Sequence, residues 1–203
     1  MLHRKAVEPI ALELLNSLMK NNSLQQFVLV GETALALQIG HRKSIDLDLF
    51  TIEDFDSQTL LALLLLDYNV EVRQQLPQTI ICNINSVKVD FIRFRYPFIR
   101  PVIEIENIRL LSIEDIAPMK LDAITGRGSK KDFYDLYFLL ELIDLNKILG
   151  LYQEKYPHQT LFHVLRSLVY FDDAEENPTP LIFDKSVTWS SVKNRIIDAV
   201  RKT

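Results

Sequence analysis

Apolar and polar positions repeat with two different periods along this chain, and the period changes near its middle. Residues 9–19 space their apolar side chains at helical intervals and predict an amphipathic first helix. "FVLVG" at 27–31 reads as a buried strand and "ETALALQI" at 32–39 as a short helix. "IDLDLF" at 45–50 alternates strictly, as a half-buried strand does, with Ile45, Leu47 and Leu49 on the buried side. "SQTLLALLLLDY" predicts a buried helix, and "VEVRQQL", "TIICNIN" and "VKVDFIRF" predict successive strands broken at Pro77 and at "NINS". Past Pro101 one more strand, "VIEIENI", is expected.

From there on the spacing is helical. "IEDIAPMKLDAIT" follows a Ser112/Asp115 capping box, and "FYDLYFLLELI", "NKILGLYQEK", "TLFHVLRSLVYF" and "WSSVKNRIIDAVRK" continue the pattern. The acidic, proline-bearing "DDAEENPTPLIFDKS" reads as an exposed loop. The expectation is an α/β (α+β) protein. Residues 1–108 form a core with a mixed β-sheet flanked by helices, and residues 109–203 form a helical portion packed on it.

Composition narrows the function classes. Twenty-three basic against 27 acidic residues give a net charge of −4, which excludes an overall cationic coat for nucleic acid but allows a local basic groove. One cysteine, Cys82, excludes a disulfide framework and a cysteine zinc site. Glu8 and Glu13 interrupt the N-terminal stretch where a secretory leader needs an unbroken apolar run. The run "LLALLLL" is too short to cross a bilayer, so a cytoplasmic location without membrane partners is expected.

Candidate chemistry begins with carboxylates. Residues two apart on a strand share a face about 7 Å apart, so Asp46 and Asp48 point the same way. Asp90 and Lys88 share a face of "VKVDF" in the same manner. Three acids on adjoining strands suit a hard divalent ion such as Mg²⁺, and paired ions serve phosphoryl-type displacement; a solvated strand face is the bland alternative. Upstream, Gly31 lets the chain turn into a helix whose first N–H groups cradle an anion.

A second cluster, "MKLDAITGRGSKKDFYDL", interleaves Lys120, Arg127, Lys130 and Lys131 with Asp132 and Asp135. Lys120 and Arg127 fall on one helix face and suit a triphosphate, whereas Asp132 fits either a functional acid or a capping box with Ser129. His41, Arg42 and Lys43 read equally as a contact for an RNA backbone or as a polar loop. Core packing is expected of Tyr137 and Phe138, with base stacking a minority role for Tyr134.

Taken together, "GETALALQIGHRKSIDLDLF", "VKVDF" and "MKLDAITGRGSKKDFYDLYFLL" resemble the AbiEii/AbiGii-type nucleotidyltransferases, toxins of bacterial toxin–antitoxin and phage-defence systems within the DNA polymerase β-like superfamily. The resemblance implies a Mg²⁺-dependent enzyme that takes a nucleoside triphosphate and transfers its nucleotidyl group, with an RNA 3′ end, notably tRNA, as acceptor and a cognate antitoxin as partner. It matches Gly31 and Thr33 to the element that holds the triphosphate. Asp46 and Asp48 match the metal pair, and Asp90 the third carboxylate. Lys120 matches the lysine that faces the phosphates, and Asp132 a candidate base. The chain departs from the family at Glu32, where a small residue is usual. A glutamate there either swings aside toward a cation or occupies the anion site itself. One alternative is transfer to a protein hydroxyl; the other, because of Glu32, is a catalytically silent relative that binds a nucleotide or partner.

Overall fold

The computed structural model describes residues 1–203, which form two compact units. One comprises Met1–Gly40 and Ser44–Ser112, the other His41–Lys43 and Ile113–Thr203.

The first unit begins with α1 (Pro9–Lys20), which buries Ala11, Leu14, Leu15, Leu18 and Met19. A short 3₁₀ turn leads to β1 (Val28–Val30), whose three residues are all buried. The Arg109 guanidinium donates to the carbonyls of Met19, Leu24 and Phe27 and so closes the end of α1 onto the start of β1. Then come α2 (Gly31–Ile39), β2 (Leu47–Thr51), α3 (Ser57–Asp67), β3 (Val70–Leu76), β4 (Thr79–Ile84), β5 (Val87–Arg93), β6 (Ile103–Ile105) and β7 (Ile108–Leu110). The strands make one seven-stranded mixed sheet in the order β3-β4-β5-β2-β1-β7-β6. β2 runs parallel to β5 and β1 parallel to β7, and the other neighbours are antiparallel. Leu29, Leu47, Val89 and Phe91 fill its centre with no exposed surface.

Three expectations change here. β2 starts at Leu47, so Asp46 stands just before the strand and Ile45 is 57% exposed rather than buried. The leucine-rich α3 buries only Ser57, Leu60 and Leu64, leaving Leu65 and Leu66 in water. The "VIEIENI" segment is a hairpin of β6 and β7, turned by Glu106 and Asn107, both left-handed. Two consecutive positive φ values give the hairpin turn whose twist matches its strands, and period alone cannot reveal them.

The second unit is helical: α4 (Ile113–Arg127), α5 (Lys130–Leu139), α6 (Leu145–Lys155), α7 (Leu161–Leu168), the short α8 (Asp172–Glu175) and α9 (Trp189–Val200). α4 runs through Gly126 and stops at left-handed Gly128, whose N–H bonds the Ile124 carbonyl. The acidic segment expected as loop contains α8 and is clamped by Lys130. Its Nζ donates to the carbonyls of Glu175 and Asn177 and lies over Trp189. Phe133, Tyr134 and Phe171 gather on the same indole, so Tyr134, 1% exposed, is core and not a stacking platform.

α4 and α6 are joined by an ion pair without solvent contact, Lys155 Nζ to Asp115 Oδ1 at 2.7 Å. Asp115, expected in a capping box, thus sends its carboxylate across to another helix. Burial pulls the Lys155 pKa down and the Asp115 carboxylate pulls it back only in part. Removing one partner strands the other charge, so Lys155→Met should cost about 3–5 kcal/mol, while Asp115→Leu with Lys155→Met should recover most of it. Urea unfolding followed by helical circular dichroism measures both, and a mild single variant would contradict this account.

Candidate active site

β2 and β5 lie side by side and parallel, with Asp48 directly in register with Asp90. Neighbouring strands sit about 4.8 Å apart, so two carboxylates meet on one face of the sheet. Asp46, just ahead of β2, is near enough for its charge to act on Lys88. Lys88 Nζ donates to Asp90 Oδ2 at 2.6 Å. Burial pulls the Lys88 ammonium down in pKa, but the Asp90 hydrogen bond and the charges of Asp90, Asp48 and Asp46 outweigh it and hold the group above its usual value. The other oxygen of Asp90, Oδ1, is buried with no hydrogen-bond partner, in a residue 9% exposed. An unclaimed carboxylate oxygen is costly to bury and marks a place that wants a cation. The donor set, hard oxygens on rigid strands, fits a divalent ion such as Mg²⁺. As the side chains stand, no three acidic, imidazole or thiol groups are close enough to grip one.

The glycine turn meets this patch directly. Gly31 has a φ of +66°, and a Cβ built on it would lie 2.5 Å from Asp48 Oδ2. Only glycine fits both demands. α2 starts at Gly31 after Val30, with no side chain capping its N-terminus, so the helix presents its first turn beside Asp48. Glu32 stands in that first turn. Thr33 is fully buried. Its hydroxyl bonds Ser44 Oγ at 2.8 Å and donates to the Asp46 carbonyl. It therefore clips the backbone of Asp46 to α2, a role its spacing did not disclose.

In the helical unit, the second cluster is a buried network. Asp132 and Asp135 have no solvent exposure. Lys120, 3% exposed, reaches Asp132 Oδ1 at 3.0 Å and Asp135 Oδ2 at 2.7 Å. Arg127, more than half exposed, closes on Asp132 through Nε and Nη2. Ser129 precedes α5 without a side-chain cap bond, so the Asp132 carboxylate serves the cations instead of a capping box.

His41 and Arg42, read equally as RNA contacts or a polar loop, are buried: His41 Nε2 meets Asp135 Oδ1 at 2.7 Å, and Arg42 binds the same carboxylate through Nε and Nη2. The three residues 41–43 pair antiparallel with 181–183, through Lys43 N–H to the Leu181 carbonyl and Phe183 N–H to the His41 carbonyl. Asp135 is the residue to which the sequence reading gave no role beyond its place in the second cluster. Its one legible signal was its place one turn after Asp132. Burial would raise its pKa, but Lys120 and Arg42, with hydrogen bonds from His41 and Arg42, hold it well below the ordinary carboxylate value.

Among solved structures, the fold is similar to JHP933 from Helicobacter pylori, with TM-score 0.55 and 18% identity over 97% of this chain and 92% of that one. It is also similar to MenT4, the nucleotidyltransferase toxin Rv2826c of Mycobacterium tuberculosis H37Rv, with TM-score 0.54 and 16% identity over 88% and 76%. At 18% and 16% identity, these likenesses are ones of fold. In sequence, protein aq_aa25 of Aquifex aeolicus (strain VF5), itself described as uncharacterized, is 37% identical over 156 residues, 74% of this chain and 76% of the relative. The family model "Nucleotidyl transferase AbiEii toxin, Type IV TA system" matches residues 13–201, and the chain belongs to that family of nucleotidyltransferase toxins. Membership implies a nucleoside triphosphate as substrate and an antitoxin as partner. No helix is long and apolar enough to cross a membrane.

Two outcomes are expected from the geometry. Gly31→Ala places a methyl group against Asp48 and strains the backbone, so it should lower thermal stability by about 1–3 kcal/mol and weaken nucleotide binding, measured by calorimetry. An unaltered variant would show that the turn is not so constrained. Asp135, with its folded pKa depressed, contributes stability that is complete above its unfolded pKa of about 3.9 and is lost as pH falls through the folded value. Asp135→Asn should therefore melt well below wild type at neutral pH, and the gap should close below about pH 4. A pH-independent gap would contradict the assignment.

Proposed function

We propose that the protein uses Mg²⁺ and a nucleoside triphosphate to transfer a nucleoside monophosphate to an RNA 3′ end, in particular that of tRNA. The observation that carries this reading is the registered pair Asp48 and Asp90, beside the Gly31 turn, with one Asp90 oxygen buried and unclaimed. Asp46, Asp48 and Asp90 are the residues that would hold the metal. A divalent ion bound there supplies Lewis-acid stabilisation of the charge that builds on attacking and leaving oxygens.

The chain's own groups do the rest. Gly31 and the first turn of α2 receive phosphate oxygens through backbone N–H groups, and Thr33 fixes the Asp46 backbone on which that geometry depends. Lys120 and Arg127 neutralise charge on the pyrophosphate as it leaves. Asp132, matched by the resemblance to a candidate base, is the proposed acceptor of the hydroxyl proton.

Incubation with triphosphates labelled at the α-phosphate, Mg²⁺ and total cellular RNA or protein tests this reading. Label is expected on RNA, and Asp46→Asn with Asp48→Asn should abolish its transfer in a protein that stays folded. Label confined to protein would redirect the acceptor to a protein hydroxyl. Transfer that survives the double variant would refute the metal assignment.

A silent, nucleotide-binding relative has one observation in its favour. Glu32 carries a negative charge in the first turn of α2, where a phosphate would approach. Glu32→Gly should then tighten nucleotide binding about two- to fivefold, the range of one charge at a helix end. An unchanged dissociation constant would place Glu32 aside from the phosphates.

A further inference from the structure

The acidic patch carries a fourth member that the proposed function does not use. Lys88 lies two residues before Asp90 on β5, on the same face of the strand. Its Nζ holds one oxygen of Asp90 at 2.6 Å, while the other oxygen stays buried and without a partner. Asp48 stands in register with Asp90 across the parallel β2 and β5, and the charges of Asp90, Asp48 and Asp46 all act on the Lys88 ammonium. Three carboxylates at such spacing repel one another, and the only cation on this face of the two strands is the ammonium among them. Its side chain is about one-third exposed, so a path to water is open to it.

The geometry points to Lys88 as a tethered counter-ion of the carboxylate patch, one that must be displaced from Asp90 before a divalent ion can settle there. This inference rests on the metal reading proposed above. An ammonium can offset carboxylate charge but cannot supply the Lewis acidity of a divalent ion, so Lys88 would steady Asp90 without activating the site.

Mn²⁺ alone, without nucleotide, is the probe, and electron paramagnetic resonance of the free ion gives its dissociation constant. Lys88→Gln keeps a hydrogen-bond donor for Asp90 and removes the charge. It should bind Mn²⁺ about tenfold more tightly than wild type, the effect of an ammonium roughly 6 Å from a divalent ion at the dielectric of water. Lys88→Arg retains the charge and should behave as wild type. In the unmutated protein, the ¹⁵Nζ resonance of Lys88 should change as Mg²⁺ is added, a readout that does not depend on a variant's folding. Equal Mn²⁺ affinities for wild type and Lys88→Gln, or an unmoved ¹⁵Nζ resonance at saturating Mg²⁺, would overturn the role of Lys88 and leave the metal reading intact. Absence of Mn²⁺ binding in both proteins, or binding that survives Asp46→Asn with Asp48→Asn, would overturn both.

Discussion

Like charges fixed on adjacent strands set the terms for this protein. Asp48 and Asp90 cannot move apart, because the parallel pairing of β2 with β5 puts them in register and buried neighbours on both strands lock that register. Slipping either strand by one residue would turn Leu47, Leu49, Val89 and Phe91 to the wrong face, at a cost of several buried side chains of about 1.5–3 kcal/mol each. The hydrophobic core thus holds the carboxylates together against their mutual repulsion. Their immediate neighbours serve that constraint: a glycine where no Cβ fits against Asp48, a threonine hydroxyl that clips the Asp46 backbone, and a lysine that shields Asp90.

The helical unit solves a related problem with different means. Asp132 and Asp135 sit one turn apart without solvent, and Lys120 lies between them. Arg127 completes Asp132, and Arg42 with His41 completes Asp135. Carboxylates without any solvent are costly unless cations pair with them, which explains why His41 and Arg42 are spent inside the fold. The three residues 41–43 belong to the helical unit although they lie, in sequence, between the Gly31 turn and the acids Asp46 and Asp48.

Much of this was legible because local signals agreed. The strand, glycine turn and helix at 27–39, and the strands "VEVRQQL", "TIICNIN" and "VKVDFIRF", all appear where period and turn residues placed them. The resemblance to AbiEii nucleotidyltransferases rested on motifs within those same elements, and the family match extends it across residues 13–201. The misreadings have physical causes. A run of leucines in α3 cannot say how much of its circumference a neighbour will cover, and this helix is covered on one side. The hairpin turn at Glu106 and Asn107 lacks the glycine that normally announces positive φ. The burial of His41 and Arg42 depends on a carboxylate 94 and 93 residues away, respectively, beyond any local pattern. The Thr33 clip is equally silent in sequence, since a hydroxyl in a helix's first turn suits a ligand as well as a neighbour's backbone.

The single thiol offers one last consequence. Cys82 lies inside the sheet with its Sγ against the Val89 carbonyl, and burial, with the nearby Asp90 charge, pushes its pKa up to about 12. Almost no thiolate exists there at physiological pH, so oxidants and alkylating reagents meet an inert group while the sheet is closed. Strand β4 must part from β5 before the sulfur can react, which makes covalent capture of this one atom a clock for the opening of the very strands that carry Asp90.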